Sequence, residues 1–293
     1  MQRNTMPRAR RYRRLFLLTA LCAAIAVPAG CSWIDVKQRE FIFRPVKDDW
    51  RGYAGEADQT QIRIPVGANG DLLSAWWMPA STADAPALLY LHGARWNLTG
   101  SSSRIARYRQ LGFSVLAIDY RGFGKSSGGV PSGEMAYEDG RAAWRHLLQL
   151  APNAQHYVYG HSLGGAIAVD VARNNPQVDG LILEATFTSI RDMARQYAWG
   201  WLPVDLVLTQ RFDSLEKIAE VRAPTLFVHG MEDRLVPPAM SEQLFAASRA
   251  TKRLLLVDGA GHSNIAWTAA FGNVQQAVHS FFGITGGVDA STR

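Results

Sequence analysis

Short apolar segments alternate with longer stretches of helical periodicity along most of the chain. Some of the short segments, such as 87–91 and 226–228, are apolar throughout, as strands covered on both faces of a parallel sheet are. The pattern predicts an α/β fold with a doubly wound, mostly parallel eight-stranded sheet and a site at the carboxyl ends of its strands. The predicted strands are 61–66, 72–79, 87–92, 114–120, 157–160, 180–184, 225–229 and 253–258, and the predicted helices are 101–111, 133–150, 163–174, 238–247 and 263–282.

The ends of the chain and one long connection do not follow this alternation. Residues 188–223 are longer than a single crossover needs and predict a small helical cap inserted in the main domain. The chain therefore divides into a signal peptide (1–30), a tether and lead-in that packs on the sheet edge (31–60), a main domain (61–283) and a flexible tail (284–293).

The first thirty residues have the pattern of an export signal. Six arginines precede an apolar run at 15–27, which is shorter than the roughly 20 residues of a spanning helix. The sequence Ala29-Gly30-Cys31 resembles a bacterial lipobox, in which the cysteine thiol is acylated. We therefore expect a lipid-anchored protein of the cell envelope, on the periplasmic face of the outer membrane if the cell is Gram-negative. An uncleaved anchor or ordinary signal cleavage near the same point is the alternative.

Charge and composition exclude several other classes of protein. The net charge is +6, but six arginines lie in the signal segment, and without them 25 basic residues balance 25 acidic ones. The sequence thus gives no evidence for a nucleic-acid partner. The histidines lack metal-ligand spacing, and Cys22 and Cys31 are both accounted for by the signal and the lipid. We expect no metal and no cofactor.

Residues 160–164 have the sequence Gly-His-Ser-Leu-Gly and place Ser162 between a predicted strand and a predicted helix. A serine nucleophile on such a sharp turn needs neighbours without side chains, and the two glycines of the motif meet this need. The N–H of Leu163 then lies at a helix N-terminus, where it can bind an oxyanion. The N–H of Ala94, after the third predicted strand, is the candidate second donor. The motif alone also fits a glycine-rich turn, so its interpretation depends on the residues that accompany it.

An acid and a histidine follow the serine in the chain order that α/β serine hydrolases use. Glu232 and Asp233 both come after the strand 225–229, and either could orient a histidine. His262 lies in a glycine-rich loop after the last predicted strand and is the candidate general base. His92, at the end of a strand, is expected to be buried and structural.

At these motifs the sequence resembles the Bem46-like α/β-hydrolases, which include protein depalmitoylases with abhydrolase-17 domains. Residues 118–128 are similar to that family's loop after the fourth strand, and residues 211–218 to the end of its cap. The family pattern His-Gly-x-x-Asp-x-x-Val-Pro falls on 229–237 and selects Asp233 as the acid. The resemblance covers roughly residues 40–283 and implies a serine hydrolase that needs no cofactor. Ala94-Arg95 departs from the family, so substrate preference does not carry over.

The resemblance and the motifs together predict cleavage of esters or thioesters through an acyl-enzyme on Ser162, with Asp233 and His262 completing the triad. A serine exopeptidase or amidase with the same triad, and a non-catalytic envelope-binding module, are the alternatives. Aromatic residues of the cap and of nearby loops predict an apolar wall for an acyl chain, although packing of the cap on the domain would also explain them. These candidate substrate-binding residues are Trp96, Tyr197, Trp199, Trp201 and Trp267.

Overall fold

The computed structural model describes residues 30–53, 55, 59–82, 84–197 and 207–284. The strands are β1 (Thr60–Val66), β2 (Asp71–Met78), β3 (Ala87–Leu91), β4 (Ser114–Ile118), β5 (His156–His161), β6 (Gly180–Glu184), β7 (Thr225–Gly230) and β8 (Lys252–Val257). They form one eight-stranded sheet in the order β1-β2-β4-β3-β5-β6-β7-β8. The pairs β1–β2 and β2–β4 are antiparallel and the other neighbours are parallel. The predicted α/β fold is therefore confirmed.

Helices cover both faces of this sheet. They are α1 (residues 30–43), α2 (Leu98–Gln110), α3 (Gly133–Leu150), α4 (Leu163–Asn174), α5 (Ile190–Gln196), α6 (Ser214–Ile218), α7 (Pro238–Ala247) and α8 (Phe271–Phe282). One hydrophobic core lies under α3, α4 and α7, and the other lies under α2 and α8. Every residue of β3 to β7 is buried, which explains why these strands are apolar runs without alternation.

Two helices differ in their bounds from the sequence prediction. α2 begins three residues early because the Asn97 side chain caps it by accepting the Gly100 N–H at 3.0 Å. The predicted helix 263–282 was too long at its start. Its first part is a loop, in which the Asn264 side chain accepts the Gly261 N–H at 2.7 Å, followed by a 3₁₀ turn. This side-chain hydrogen bond competes with helix formation, so the residues around His262 form a loop and not the first turns of the helix.

The segment before the sheet contains a helix that the mixed, charged sequence does not predict. α1 contacts the cap, where the Gln38 side chain accepts the Thr209 N–H at 2.9 Å. Phe43 is fully buried against Phe123 and Phe212. The Phe43 carbonyl also accepts the Arg95 N–H at 3.0 Å. This part of the lead-in thus packs on loops at the carboxyl end of the sheet and steadies the loop after β3.

Three predicted features fall wholly or mainly outside the described residues: the signal segment, the middle of the cap at 198–206 and the tail from 285 onward. In the cap, the described residues include α5 and the stretch 207–213. Across the described ranges, no helix has both the length and the apolar composition needed to span a bilayer.

Candidate active site

Ser162 lies on the tight turn between β5 and α4. Its backbone has φ 54° and ψ −117°, a left-handed conformation that is strained for a residue with a side chain. The neighbouring backbone leaves no room at the flanking glycines. A Cβ on Gly160 would lie 2.3 Å from the Gly164 carbonyl oxygen, and one on Gly164 would lie 2.1 Å from the Leu91 carbonyl oxygen. The motif is therefore a nucleophile elbow in its geometry, with the serine side chain held at the sheet's carboxyl end.

His262 lies between Ser162 and Asp233. Its Nδ1 is 2.7 Å from Oδ2 of Asp233, and its Nε2 is 3.0 Å from Oγ of Ser162. Since a carboxylate only accepts hydrogen bonds, Nδ1 carries the proton and Nε2 accepts the serine hydroxyl. The structure brings together the three side chains that the sequence singles out. Glu232, the other candidate acid, is exposed.

Asp233 is fixed by more partners than the sequence indicates. Its Oδ1 accepts the backbone N–H groups of Leu235 and Val236, both at 2.8 Å. His229, fully buried at the end of β7, brings its Nε2 to 3.1 Å from Oδ2. Burial opposes ionisation of Asp233, but the hydrogen bonds with His229, His262 and the Val236 N–H, together with the charge interaction with His262, outweigh it and hold the pKa of this carboxyl well below its usual range. Asp233 is thus an anion that can orient an imidazole.

His229 is a site residue that the sequence reasoning missed. Its other nitrogen, Nδ1, is 2.6 Å from the Ser241 hydroxyl, so the ring is held from both sides. The signal was present in the His-Gly-x-x-Asp pattern, which sets a histidine four residues before the acid.

The candidate oxyanion donors lie on two segments that meet beside Ser162. Leu163 is the first residue of α4, and the N–H of such a residue has no partner within its own helix. The segment that carries Ala94 approaches the Ser162 turn at Gly93. A Cβ at this position would lie 3.4 Å from the Ser162 Cβ and 2.9 Å from Nδ1 of His161. The approach requires glycine at position 93, directly before the proposed donor.

The aromatic candidates are placed in two groups. Trp96 stacks on Trp50, with ring centroids 5.1 Å apart, and the rings of Trp96 and Trp267 lie 5.8 and 5.2 Å from the guanidinium of Arg104. Tyr197 donates its hydroxyl hydrogen bond to the backbone just after Asp233. The remaining two candidates, Trp199 and Trp201, lie outside the described residues.

His92 is a buried structural residue, as expected. It is fully buried, and its Nδ1 donates to the Gly93 carbonyl oxygen at 2.8 Å. Burial lowers the pKa of His92 to about 4, so its imidazole is neutral near pH 7. Within the ranges that the structure describes, no cluster of three or more His, Cys, Asp or Glu residues could hold a metal ion.

Comparison with known proteins agrees with this architecture. The family model described as "Serine aminopeptidase, S33" matches residues 83–211. The α/β hydrolase domain-containing protein WAV2 of Arabidopsis thaliana is 30% identical over 76% of this chain and 80% of its own length. Protein bem46 of Schizosaccharomyces pombe is 35% identical over 59% of this chain and 60% of its own. The chain belongs to the Bem46-like α/β-hydrolases. The family resemblance predicted from the sequence is thereby confirmed.

A solved structure shares the fold of this Bem46-like hydrolase. The esterase Pf2001 of Pyrococcus furiosus superposes with a TM-score of 0.65 over 81% of this chain and 98% of that one, at 20% identity. At this identity the likeness is one of fold. Family membership supports hydrolase activity, whereas the nucleophile, the bond cleaved and the substrate depend on the residues of the site.

Proposed function

We propose that the protein is a serine hydrolase that cleaves carboxylic esters or thioesters through an acyl-enzyme intermediate. The observation that carries this proposal is the placement of the His262 imidazole, 3.0 Å from the Ser162 hydroxyl and 2.7 Å from the Asp233 carboxylate. A nucleophile within hydrogen-bond reach of a base, which is itself oriented by an acid, is the arrangement that activates a serine.

Each group in the site has a defined task in this mechanism. Ser162 attacks the carbonyl carbon while Nε2 of His262 takes the hydroxyl proton, and the Asp233 carboxylate stabilises the imidazolium that results. The N–H groups of Leu163 and Ala94 bind the oxygen as it becomes negative. His262 then gives its proton to the leaving alcohol or thiol. Water, deprotonated by the same nitrogen, attacks the acyl-serine and releases the acid.

Exposed apolar side chains that neighbour the triad residues in sequence support an acyl chain as part of the substrate. Met231 and Leu235, on either side of the acid in sequence, are 53% and 44% exposed, and Trp267, after the histidine, is 47% exposed. Large apolar residues left open beside polar catalytic groups are typical of ligand sites. Each methylene that such a surface buries contributes about 0.8 kcal/mol, or roughly a fourfold gain in kcat/KM if the transition state retains it.

Measured on a matched series of nitrophenyl esters, kcat/KM should therefore rise from acetyl to about hexanoyl or octanoyl. The same panel should contain acyl thioesters and aminoacyl anilides, because the description of the matching family model favours an aminopeptidase as the second candidate. If the aminoacyl anilides are cleaved faster than the esters and thioesters, the protein is an aminopeptidase and the ester proposal is wrong. A preference for acetyl over longer esters would contradict only the proposal that an apolar surface binds the acyl chain, and would leave the ester mechanism in place.

The rate of hydrolysis should depend on pH through the histidine base. Imidazole acts as a base only when neutral, and its neutral fraction can only grow as the pH rises from 5 to 8. The pKa of Asp233 is held low by its hydrogen bonds with His229 and His262, so this acid stays ionised over that range. A profile of kcat/KM against pH should rise and then level on the alkaline side. A steady fall from pH 5 to pH 8 would contradict the mechanism.

We also propose that the protein is held at the cell envelope by lipid on Cys31. The basic and apolar segments before Ala29-Gly30-Cys31 support this proposal. Trp33 and Phe41 of α1 are 64% and 66% exposed and offer apolar contact to a bilayer surface. The Cys31→Ser variant should move from membrane to soluble fractions or stall in processing. A mature wild-type chain whose Cys31 thiol is free by mass spectrometry would rule out the lipid anchor.

A further inference from the structure

A buried ion pair lies behind the loop that carries His262. Arg104 of α2 and Glu184 at the end of β6 are 1% and 2% exposed, and Nε of the arginine is 3.2 Å from Oε1 of the glutamate. Neither residue belongs to the triad or to the motifs that identify the family. Taking two charges out of water costs several kcal/mol per ion, so a buried pair is weak evidence for stability alone.

The arginine of this pair stays charged despite its burial. Burial by itself lowers the pKa of the Arg104 guanidinium, but the adjacent Glu184 carboxylate, together with Tyr159 and Tyr90, more than offsets this and raises the pKa above its ordinary value. The second carboxylate oxygen accepts the Tyr159 hydroxyl at 2.9 Å. Burial raises the pKa of Tyr159 well above its ordinary value, so this phenol stays a neutral donor. Arg104 is therefore a permanently charged group with a fixed orientation.

The guanidinium has a second partner on the histidine loop. Nη2 of Arg104 donates to the Ser263 carbonyl oxygen at 2.7 Å. The carbonyl oxygen just before it, that of His262, accepts a hydrogen bond at 2.9 Å from Nε2 of His161, the residue before the nucleophile. Burial and the charge of Arg104 keep the pKa of His161 well below its ordinary value, so this ring is neutral and donates. Two consecutive carbonyl groups are thus held by buried side chains.

We propose that Arg104 is a positioning residue for hydrolysis: through the Ser263 carbonyl it fixes the loop that holds His262 between Ser162 and Asp233. Glu184 supplies the counter-charge that keeps the guanidinium in place. Trp96 and Trp267, whose rings contact the same guanidinium, pack around it. Trp267 thus contacts Arg104 on one part of its ring system and leaves another part exposed for an acyl chain.

This inference rests on the proposed function, because the positioning has an effect on rate only if His262 is the base. Arg107, one turn further along α2, reinforces the contact by donating to the Ala266 carbonyl oxygen at 3.2 Å. Two arginines of one helix therefore hold the loop, through the carbonyl oxygens of Ser263 and Ala266. Small displacements matter here, since an error of about 1 Å in a catalytic group can cost about 10²-fold in rate.

The test uses the full chain and separates positioning from stability. Removing Arg104 alone would leave Glu184 as a buried, unpaired charge, so the informative variant is Arg104→Met/Glu184→Gln, which removes both charges. The variant to compare with it is Glu184→Gln, which retains the hydrogen bond from Arg104 to the Ser263 carbonyl oxygen. Arg141→Met is the matched control, because this arginine joins Glu134 and Asp170 away from the site.

For the double variant we expect kcat to fall about 10- to 100-fold with KM changed by less than about threefold, as for groups that orient catalytic residues. Glu184→Gln should lower the melting temperature and should reduce kcat by less than the double variant does, and Arg141→Met should leave kcat unchanged. Arg104→Lys, which keeps the charge without the planar fork, should recover only part of the rate. A folded double variant with wild-type kcat, or a loss of kcat that merely follows the unfolded fraction, would overturn the proposal.

A second readout keeps the two proposals apart. The imidazole nitrogen NMR signals of His262, assigned by comparison with His262→Gln, report its hydrogen bonds to Ser162 and Asp233 without any turnover. They should shift in Arg104→Lys and in the double variant and stay unchanged in Arg141→Met. Unchanged signals in both Arg104 variants would overturn the positioning role. A wild-type protein that hydrolyses nothing would instead refute the proposed function, whatever these signals show.

Discussion

Replacing Ser162 by alanine should lower kcat for ester hydrolysis by about 10⁴- to 10⁶-fold, because loss of a triad nucleophile removes the whole covalent route. The change deletes one oxygen on a turn whose backbone is set by its neighbours, so the melting temperature should stay within a few degrees of wild type. The measurement is kcat on the preferred nitrophenyl ester together with a thermal melt of each protein.

Ser280→Ala is the matched control for this experiment. Ser280 is an exposed residue of α8, and its substitution should change neither kcat nor melting temperature. Turnover by Ser162→Ala within about tenfold of wild type would mean that another residue starts the reaction. An equal loss in both serine variants would point to a damaged preparation and would leave no support for a specific nucleophile.

Asp233→Asn should lower kcat by about 10⁴-fold, as the loss of the carboxylate in a serine protease triad does. The structure gives the reason. Oδ1 accepts two backbone N–H groups at 2.8 Å, so the amide oxygen of the asparagine will take that position. Its NH₂ group then points at Nδ1 of His262, which must accept. The proton moves to Nε2, and the imidazole no longer accepts the Ser162 hydroxyl.

Glu232→Gln is the control that the neighbouring residue provides. Glu232 is exposed, and its neutralisation should change kcat by less than about twofold. The measurement is kcat of Glu232→Gln and of Asp233→Asn at the same pH. It shows which of the two carboxylates after β7 orients His262. A larger loss of kcat in Glu232→Gln than in Asp233→Asn would show that Glu232, and not Asp233, orients His262.

Much of the fold could be predicted because local sequence and tertiary context agree. The bounds of α3, α4 and α7 match the sequence prediction, since each has a clear start signal and follows a buried strand. The positions of Ser162, Asp233 and His262 could be predicted for a related reason. Each lies directly after an apolar strand with glycines nearby, and the carboxyl ends of parallel strands meet at one edge.

The rest could not be predicted because it depends on contacts between distant parts of the chain. Arg104 lies on an amphipathic helix, where an arginine is expected at the surface, and only the fold places it beside Glu184, 80 residues later. α1 forms where Phe43 meets Phe123 and Phe212, which lie far from it in sequence. The late start of α8 follows from one side-chain bond of Asn264 that periodicity does not reveal.

The central claim is that Ser162 is an activated nucleophile, and covalent labelling tests it most directly. The wild-type protein, incubated with a fluorophosphonate and digested, should yield one phosphonylated peptide, modified at Ser162, with about one label per chain. Labelling should be lost in Ser162→Ala and retained in Ser280→Ala. Absence of a label on folded wild-type protein, or a label located on another residue, would contradict the account.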